Sequence, residues 1–210
     1  MQKLLIVGAT GGTGQHLVAQ ALDLGHQVTV FVRDPAKLPA HHERLRLAVG
    51  TIADHAASLQ QALQGQDAVI SALGRGQSLK SDQLIQRSVP PLLTAMTAVG
   101  VRRLVFTSGI GVGDAYSEAP LFSKIVIKVL LRDIYADKAI GEDLIRKSGL
   151  EWTIVQPAQL TNGPLTRRYR AGEHLKQRGM PRISRADLAH FLLNQLDDRT
   201  YVRKTVRLGY

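Results

Sequence analysis

The 210-residue chain contains no cysteine. Disulfides and thiolate metal sites are thereby excluded, and a reducing compartment is permitted. Long apolar runs are also missing: nothing approaches a membrane span. The most apolar stretch, Leu121 to Leu131, is interrupted at helical spacing by Lys124, Lys128 and the following Arg132, and reads as a buried or partner-facing helix. Met1 leads directly into a strand-like run, leaving no room for a basic region followed by a cleavable apolar stretch. The expectation is a cytoplasmic protein with no membrane partner. No internal repeat, linker or low-complexity tract is present. Acidic residues are the minority, 17 Asp+Glu against 27 Lys+Arg, a formal charge of +10, which raises the question of nucleic acid. The basic residues, however, are spread from Lys3 to Arg207. Their one concentration (Arg167, Arg168, Arg170, Lys176, Arg178, Arg182, Arg185) has no aromatic ladder, and no zinc-finger or recognition-helix pattern accompanies it. No nucleic-acid partner is expected. The cluster is either a solvated basic face or a surface that steers an anionic small molecule.

What the chain does have is a 44% hydrophobic fraction, enough for one domain with a proper core, and a distinctive start. Leu4-Leu5-Ile6-Val7 runs into Gly8-Ala9-Thr10-Gly11-Gly12-Thr13-Gly14, after which Leu17, Val18, Ala21, Leu22 and Leu24 fall at helical spacing. The order is buried strand, tight glycine turn, helix. Glycine suits such a turn because it reaches backbone angles closed to other residues, and because a phosphate touches main-chain N–H groups only where no Cβ intervenes.

Further strands are predicted at Gln27–Val32, Leu45–Val49, Asp67–Gly74, Leu104–Thr107, Trp152–Val155 and Thr205–Leu208. Helical stretches lie around Ser58–Leu63, Leu84–Val99, Ile140–Arg146 and Ala186–Leu196. Pro90-Pro91 is expected to break the Leu84–Val99 helix or shift its start, and Ser184 with Asp187 resembles a capping box. The alternation predicts α/β architecture, a single doubly wound parallel sheet over residues 1–210, with 158–183 covering the substrate crevice. At the tip of the second strand, an arginine pairs a 2′-phosphate where a carboxylate would hold a ribose hydroxyl. Arg33 holds that tip with Lys37 one turn on, favouring NADPH; the alternative is that Arg33 is a surface residue and Asp34 takes the ribose.

The spacing Gly8-x-x-Gly11-x-x-Gly14, together with Val32-Arg33-Asp34, Lys37-Leu38-Pro39, Gly65 to Ile70, Thr107-Ser108, Ser148-Gly149-Leu150 and Pro164-Leu165-Thr166, resembles the NAD(P)H-binding atypical short-chain dehydrogenase/reductase family, nearest its flavin/biliverdin reductase branch. That resemblance implies a Rossmann fold in which Thr10, Gly11, Gly12, Thr13 and Gly14 cradle the pyrophosphate, Gly8 belongs to the same cofactor-binding turn, and Arg33 and Lys37 hold the 2′-phosphate. Thr51 and Ile52 would lie near adenine, and Leu73, Gly74 and Arg75 near the ribose and diphosphate. Ser108, Pro157 and Ala158 would meet the nicotinamide, and Ser108, Lys138 and Gln159 are the candidate catalytic residues.

Three departures stand out. Thr51 replaces a carboxylate, and Gln159 replaces a histidine and cannot relay a proton near neutral pH. Tyr135 is only three residues before Lys138, where classical members have Tyr-x-x-x-Lys; it is either an acid on the same helix side or a packing residue. Flavins, biliverdin-like tetrapyrroles and quinones are already electrophilic, so hydride transfer to them needs positioning more than acid–base chemistry. Ser108 would orient the acceptor or the carboxamide, or merely cap its strand. The expectation is an NADPH-dependent reductase of such an acceptor, the alternative a non-catalytic NADP(H)-binding regulator or assembly factor. Oligomeric state is not specified by the sequence.

Overall fold

Leu4, Leu5, Ile6 and Val7 are fully buried, and they divide alternately between two cores. Leu4 and Ile6 join the cluster on one sheet face, Leu5 and Val7 the cluster on the other. A strand that is apolar at every position is what a parallel sheet covered on both faces requires. The computed structural model describes residues 1–38, 42–74, 76, 82–113, 132–175 and 181–210. Among these the strands are β1 (Lys3–Val7), β2 (Gln27–Val32), β3 (Leu45–Val49), β4 (Ala68–Ser71), β5 (Arg103–Thr107), β6 (Glu151–Pro157), β7 (Gln159–Thr161), β8 (Arg170–Gly172), β9 (Arg182–Ser184) and β10 (Lys204–Gly209). The helices are α1 (Gly12–Asp23), α2 (Ala56–Leu63), α3 (Leu84–Val99), α4 (Arg132–Lys147) and α5 (Arg185–Asn194).

The main sheet has the order β3-β2-β1-β4-β5-β6-β10-β8. All its pairings are parallel except β10 with β8. From β1 the chain builds outward to β3, then returns to place β4 on the other side of β1. That reversal opens a crevice beyond the carboxyl ends of the two strands, where an open α/β sheet binds its ligand. Leu17, Val18, Ala21 and Leu22 of α1 and Leu188, Ala189, Phe191 and Leu192 of α5 cover one face. Leu59 and Leu63 of α2, Ile85, Val89, Leu92 and Met96 of α3, and Ile145 of α4 cover the other.

Two expectations need correction. Pro90 and Pro91 lie inside an unbroken α3: the helix does not break there, although two backbone donors are lost. The fourth strand stops at Ser71, and Ala72–Gly74 leaves the sheet. Within the 158–183 segment, β7 pairs in parallel with β9, and β8 adds antiparallel to β10 at the sheet edge opposite β3. The helix read over Leu121 to Leu131 lies outside the described residues, as do Pro39, Arg75, Lys176 and Arg178.

The start of α3 is capped from a distance. Its own N-cap, Gln83, has φ +51° and gives no side-chain cap. Instead Asp137 of α4, 3% exposed, accepts from the N–H groups of Ile85 at 3.0 Å and Gln86 at 2.9 Å. The helices approach this closely because Gly141 has no side chain: a Cβ there would stand 2.2 Å from Ile85 Cγ2. Asp137→Ala leaves two helix-end donors buried without an acceptor and is expected to cost about 2–3 kcal/mol. Urea unfolding measures it, and a loss below about 0.5 kcal/mol, the size of an ordinary surface change, would contradict the cap.

Candidate functional site

The glycines of the first turn do different jobs. Gly8 has φ +80°, and a Cβ on it would lie 2.6 Å from the Ala72 carbonyl oxygen. A Cβ on Gly14 would lie 2.1 Å from the Gly8 carbonyl oxygen. Both glycines let α1 and the exit of β4 pack against the end of β1. Gly11 has more room, its nearest neighbour being that same Gly8 oxygen at 3.4 Å, and its N–H closes the turn onto Gly8 at 3.1 Å. Gly11 is also the N-cap of α1 and has no side chain to cap with, and the first turn carries no acidic residue. The N–H groups of Gly12, Thr13 and Gly14 precede the first intrahelical bond, and none has an acceptor among the described residues.

Beside this turn lies a cleft of about 700 Å³. Of the residues singled out from sequence, Gly8, Thr10, Gly11, Arg33, Thr51, Ile52, Leu73 and Gly74 line it. Gly12, Thr13 and Gly14 are not among its lining residues and form the first turn of α1. Lys37 is exposed in a 3-10 turn, 3.6 Å from Asp34. Asp34 is engaged locally: its carboxylate accepts from Ala36 N–H at 3.1 Å and faces Lys37. Arg33 is exposed and has no hydrogen-bond or ion-pair partner among the described residues. Its guanidinium stands free at the cleft wall.

Sequence reading missed Asp54 and Arg87. Both line the cleft, 3.9 Å apart, and Thr51 Oγ1 donates to Asp54 Oδ2 at 2.7 Å. The carboxylate absent at position 51 is therefore present one turn later. His55 Nδ1 accepts from Thr51 N–H at 3.2 Å, which orders the loop and leaves the Thr51 hydroxyl proton for Asp54. A signal existed in the sequence, a lone carboxylate between β3 and α2, but its distance from the glycine turn gave no reason to choose it.

At the carboxyl ends of β5 and β6, Ser108 is 3% exposed and its N–H donates to Val155 O at 2.8 Å. Ile110 N–H donates to Pro157 O at 3.1 Å, and Ala158 N–H to Leu208 O at 2.8 Å. The hydroxyls of Ser71, Thr107 and Ser108 are buried without a hydrogen-bond partner. Ser108 lies near enough to Glu142 to favour that carboxylate's charged form, but outside hydrogen-bonding geometry. Glu142 is fully buried, and burial pushes its pKa up, offset in part by Ser108 and by Gln156, whose Nε2 donates to it at 3.0 Å.

Tyr135 and Lys138 do share one side of α4, and both grip the loop after β5. Tyr135 Oη donates to Ile110 O at 3.0 Å, and Lys138 Nζ donates to Ser108 O at 2.9 Å. Burial pushes the Tyr135 pKa up and the Lys138 pKa down, the latter against the pull of Glu142 and Asp137. The Tyr135 proton is held by a main-chain carbonyl, and burial disfavours its ionisation. Gln159 is exposed on β7, where it pairs in register with Arg182 of β9 and its N–H donates to Pro181 O at 3.1 Å. No cluster of side chains suited to a metal and no helix long and apolar enough to cross a membrane occurs among the described residues.

A dinucleotide fits these features. The turn offers free N–H groups at a helix N-terminus, the cleft carries an unpaired cation at the β2 tip, and orphaned hydroxyls wait at the ends of β4 and β5.

Known proteins agree with that fit. A solved Rossmann-fold NAD(P)-binding family protein from Shigella flexneri superimposes with TM-score 0.74 and 27% identity, covering 100% of this chain and 93% of its own. Among curated relatives, the uncharacterized sugar epimerase YhfK of Bacillus subtilis is 26% identical over 94% of this chain and 89% of its own length. The photosystem II assembly factor Ycf39 of Synechocystis is 30% identical over 77% of this chain, which spans 46% of that protein. A phenylcoumaran benzylic ether reductase of Pinus taeda is 26% identical over 98% of this chain and 68% of its own length. With a match to the NAD(P)H-binding family that runs through residues 8–199, from the glycine turn to beyond α5, the chain belongs to that family.

Proposed function

We propose that this chain is an NADPH-dependent reductase that passes hydride to a conjugated acceptor, a flavin, a biliverdin-like tetrapyrrole or a quinone. The observation that carries the reading is the pairing of a cleft of about 700 Å³ beside the glycine turn with the absence of a free general acid near it among the described residues. Tyr135 spends its proton on Ile110 O, and Gln159 is an exposed amide. NADPH, when bound, supplies a hydride from its dihydronicotinamide, and an acceptor of this kind takes its matching proton from solvent. The chain's own part is to bind and orient. Lys138 and Tyr135 hold the carbonyls of Ser108 and Ile110 in place, and Ser108 offers a buried hydroxyl, without a partner of its own, to the carboxamide or the acceptor. Steady-state NADPH oxidation with FMN, riboflavin, biliverdin and a simple quinone tests the reading. Turnover with one of them that falls in Ser108→Ala is expected.

The free guanidinium of Arg33 supports NADPH over NADH, since Asp34, the alternative ribose partner, is occupied by Ala36 and Lys37. Arg33→Ala is expected to weaken NADPH by about 1–3 kcal/mol through the lost charge-assisted contact, with NADH nearly unchanged. Isothermal titration of both dinucleotides measures it, and an equal loss for the two would overturn the assignment.

The missing acid also favours a second reading, a non-catalytic NADP(H)-binding regulator or assembly factor, and one relative is an assembly factor by name. Tight NADPH binding with no turnover on any acceptor would move the conclusion there.

A further inference from the structure

Arg185 opens α5 in the last fifth of the chain, yet its side chain crosses the glycine turn at the beginning. A Cβ built on Gly12 would stand 2.8 Å from Arg185 Cδ and 3.0 Å from its Nε. The aliphatic stem therefore rests on the bare Cα of Gly12. Beyond it, Arg185 Nη1 donates to Asn162 Oδ1 at 2.6 Å. That partner is a neutral amide, and no carboxylate pairs with Arg185 among the described residues. The cation is thus held, uncompensated, at the end of α1, where the N-cap is a glycine and no acid occupies the first turn. A helix N-terminus carries roughly half a positive charge of its own. Two positive features brought together without an anion oppose each other until one arrives.

Arg185 is the arginine of the basic stretch that lies against Gly12. Arg170, from the same basic stretch of sequence, bonds the main-chain oxygen of Tyr210 at 3.2 Å on the β8 edge. Arg167 gives its main-chain N–H to Asp187.

We infer that Arg185, positioned by Asn162, is a clamp on the bridging pyrophosphate of the bound dinucleotide, closing from the C-terminal half over the turn that meets the phosphates from below. The inference rests on the dinucleotide reading of the cleft. It assigns separate anions to separate arginines: the adenosine 2′-phosphate to Arg33, the pyrophosphate to Arg185. It also gives Gly12 a reason beyond phosphate approach, because any side chain there would lift the Arg185 stem.

Isothermal titration with NADPH, NADH and 2′-AMP tests the clamp. In Arg185→Ala, affinity for NADPH and NADH is expected to fall together, by roughly 10- to 100-fold. 2′-AMP, which has no pyrophosphate, binds as it does to wild type. Arg33→Ala gives the converse pattern, losing NADPH and 2′-AMP and keeping NADH. Arg185→Lys recovers part of the loss as a point charge, and Asn162→Ala, which frees the guanidinium, shows a smaller fall for both dinucleotides. Without nucleotide, Arg185→Ala unfolds at the wild-type temperature or above it, since the repulsion at α1 is relieved. A lower unfolding temperature, or an equal fall for 2′-AMP, would make Arg185 a structural residue and overturn the clamp. So would unchanged dinucleotide affinity in Arg185→Ala beside a wild type that binds. A wild type that binds neither dinucleotide would remove the cleft reading itself, and the clamp with it.

Discussion

Asp187→Ala is expected to lower the unfolding free energy by about 3–5 kcal/mol, a loss set by the number of buried donors it abandons. The carboxylate is fully buried. Oδ1 accepts from the N–H groups of Thr166 at 2.8 Å and Arg167 at 2.7 Å, and Oδ2 from the hydroxyls of Thr166 and Tyr210, both at 2.7 Å. One side chain therefore ties α5 to the segment after β7 and to the C-terminus. Arg167 takes a left-handed backbone, φ +58°, at the residue whose N–H Asp187 accepts. Burial by itself would raise the Asp187 pKa, but the donors from Thr166, Tyr210 and Arg167 outweigh it and hold the group below its ordinary value of 3.8. A carboxylate depressed in the folded state contributes stability that is complete above the unfolded pKa and lost as pH falls through the folded one. Wild type should therefore lose this contribution below about pH 4, and Asp187→Ala should show a flatter acid limb in urea unfolding at stepped pH. A variant with wild-type stability and an unchanged acid limb would contradict the hub.

Gly14→Ala should be nearly as damaging for a different reason. The new Cβ would stand 2.1 Å from the Gly8 carbonyl oxygen and 2.7 Å from Ala9 Cα. Both are backbone atoms that no rotamer change can move. The expected loss is about 3 kcal/mol or more, well beyond the roughly 1 kcal/mol that alanine gains over glycine in a helix. Gly11→Ala meets only a 3.4 Å neighbour and should unfold close to wild type, within about 1 kcal/mol. Thermal unfolding of the pair separates a glycine that packing demands from one that leaves room for a ligand. Equal stability of the two variants would mean that α1 shifts to absorb the methyl.

Sequence patterning located β1, the glycine turn and α1 because each is a local signal: an apolar run, a cluster of glycines, then a 3.6-residue period. It located Arg33 for the same reason, as the residue ending the Gln27–Val32 strand. Where a local rule met tertiary packing, packing decided. Pro90 and Pro91 are helix breakers, yet α3 runs through them with its start capped by Asp137 and its apolar side buried. The Ser184–Asp187 capping box forms only in half: Ser184 Oγ accepts from Asp187 N–H at 3.0 Å, but the Ser184 N–H goes to Tyr210 Oη at 3.1 Å. Asp187 is then free to face Thr166 and Arg167.

The chain's sequence by itself determined the layered fold, the turn at its first crossover and the cation at the β2 tip. Only the tertiary structure decided that Asp54 brings a carboxylate to the cleft, that Asp137 caps a helix 52 residues away, and that Arg185 lies on Gly12. Periodicity and propensity act over a few residues, so they are written in the order of the chain. A hydrogen bond or a charge acts over a few ångströms, and which residues come that close is fixed only once the sheet has brought distant segments together.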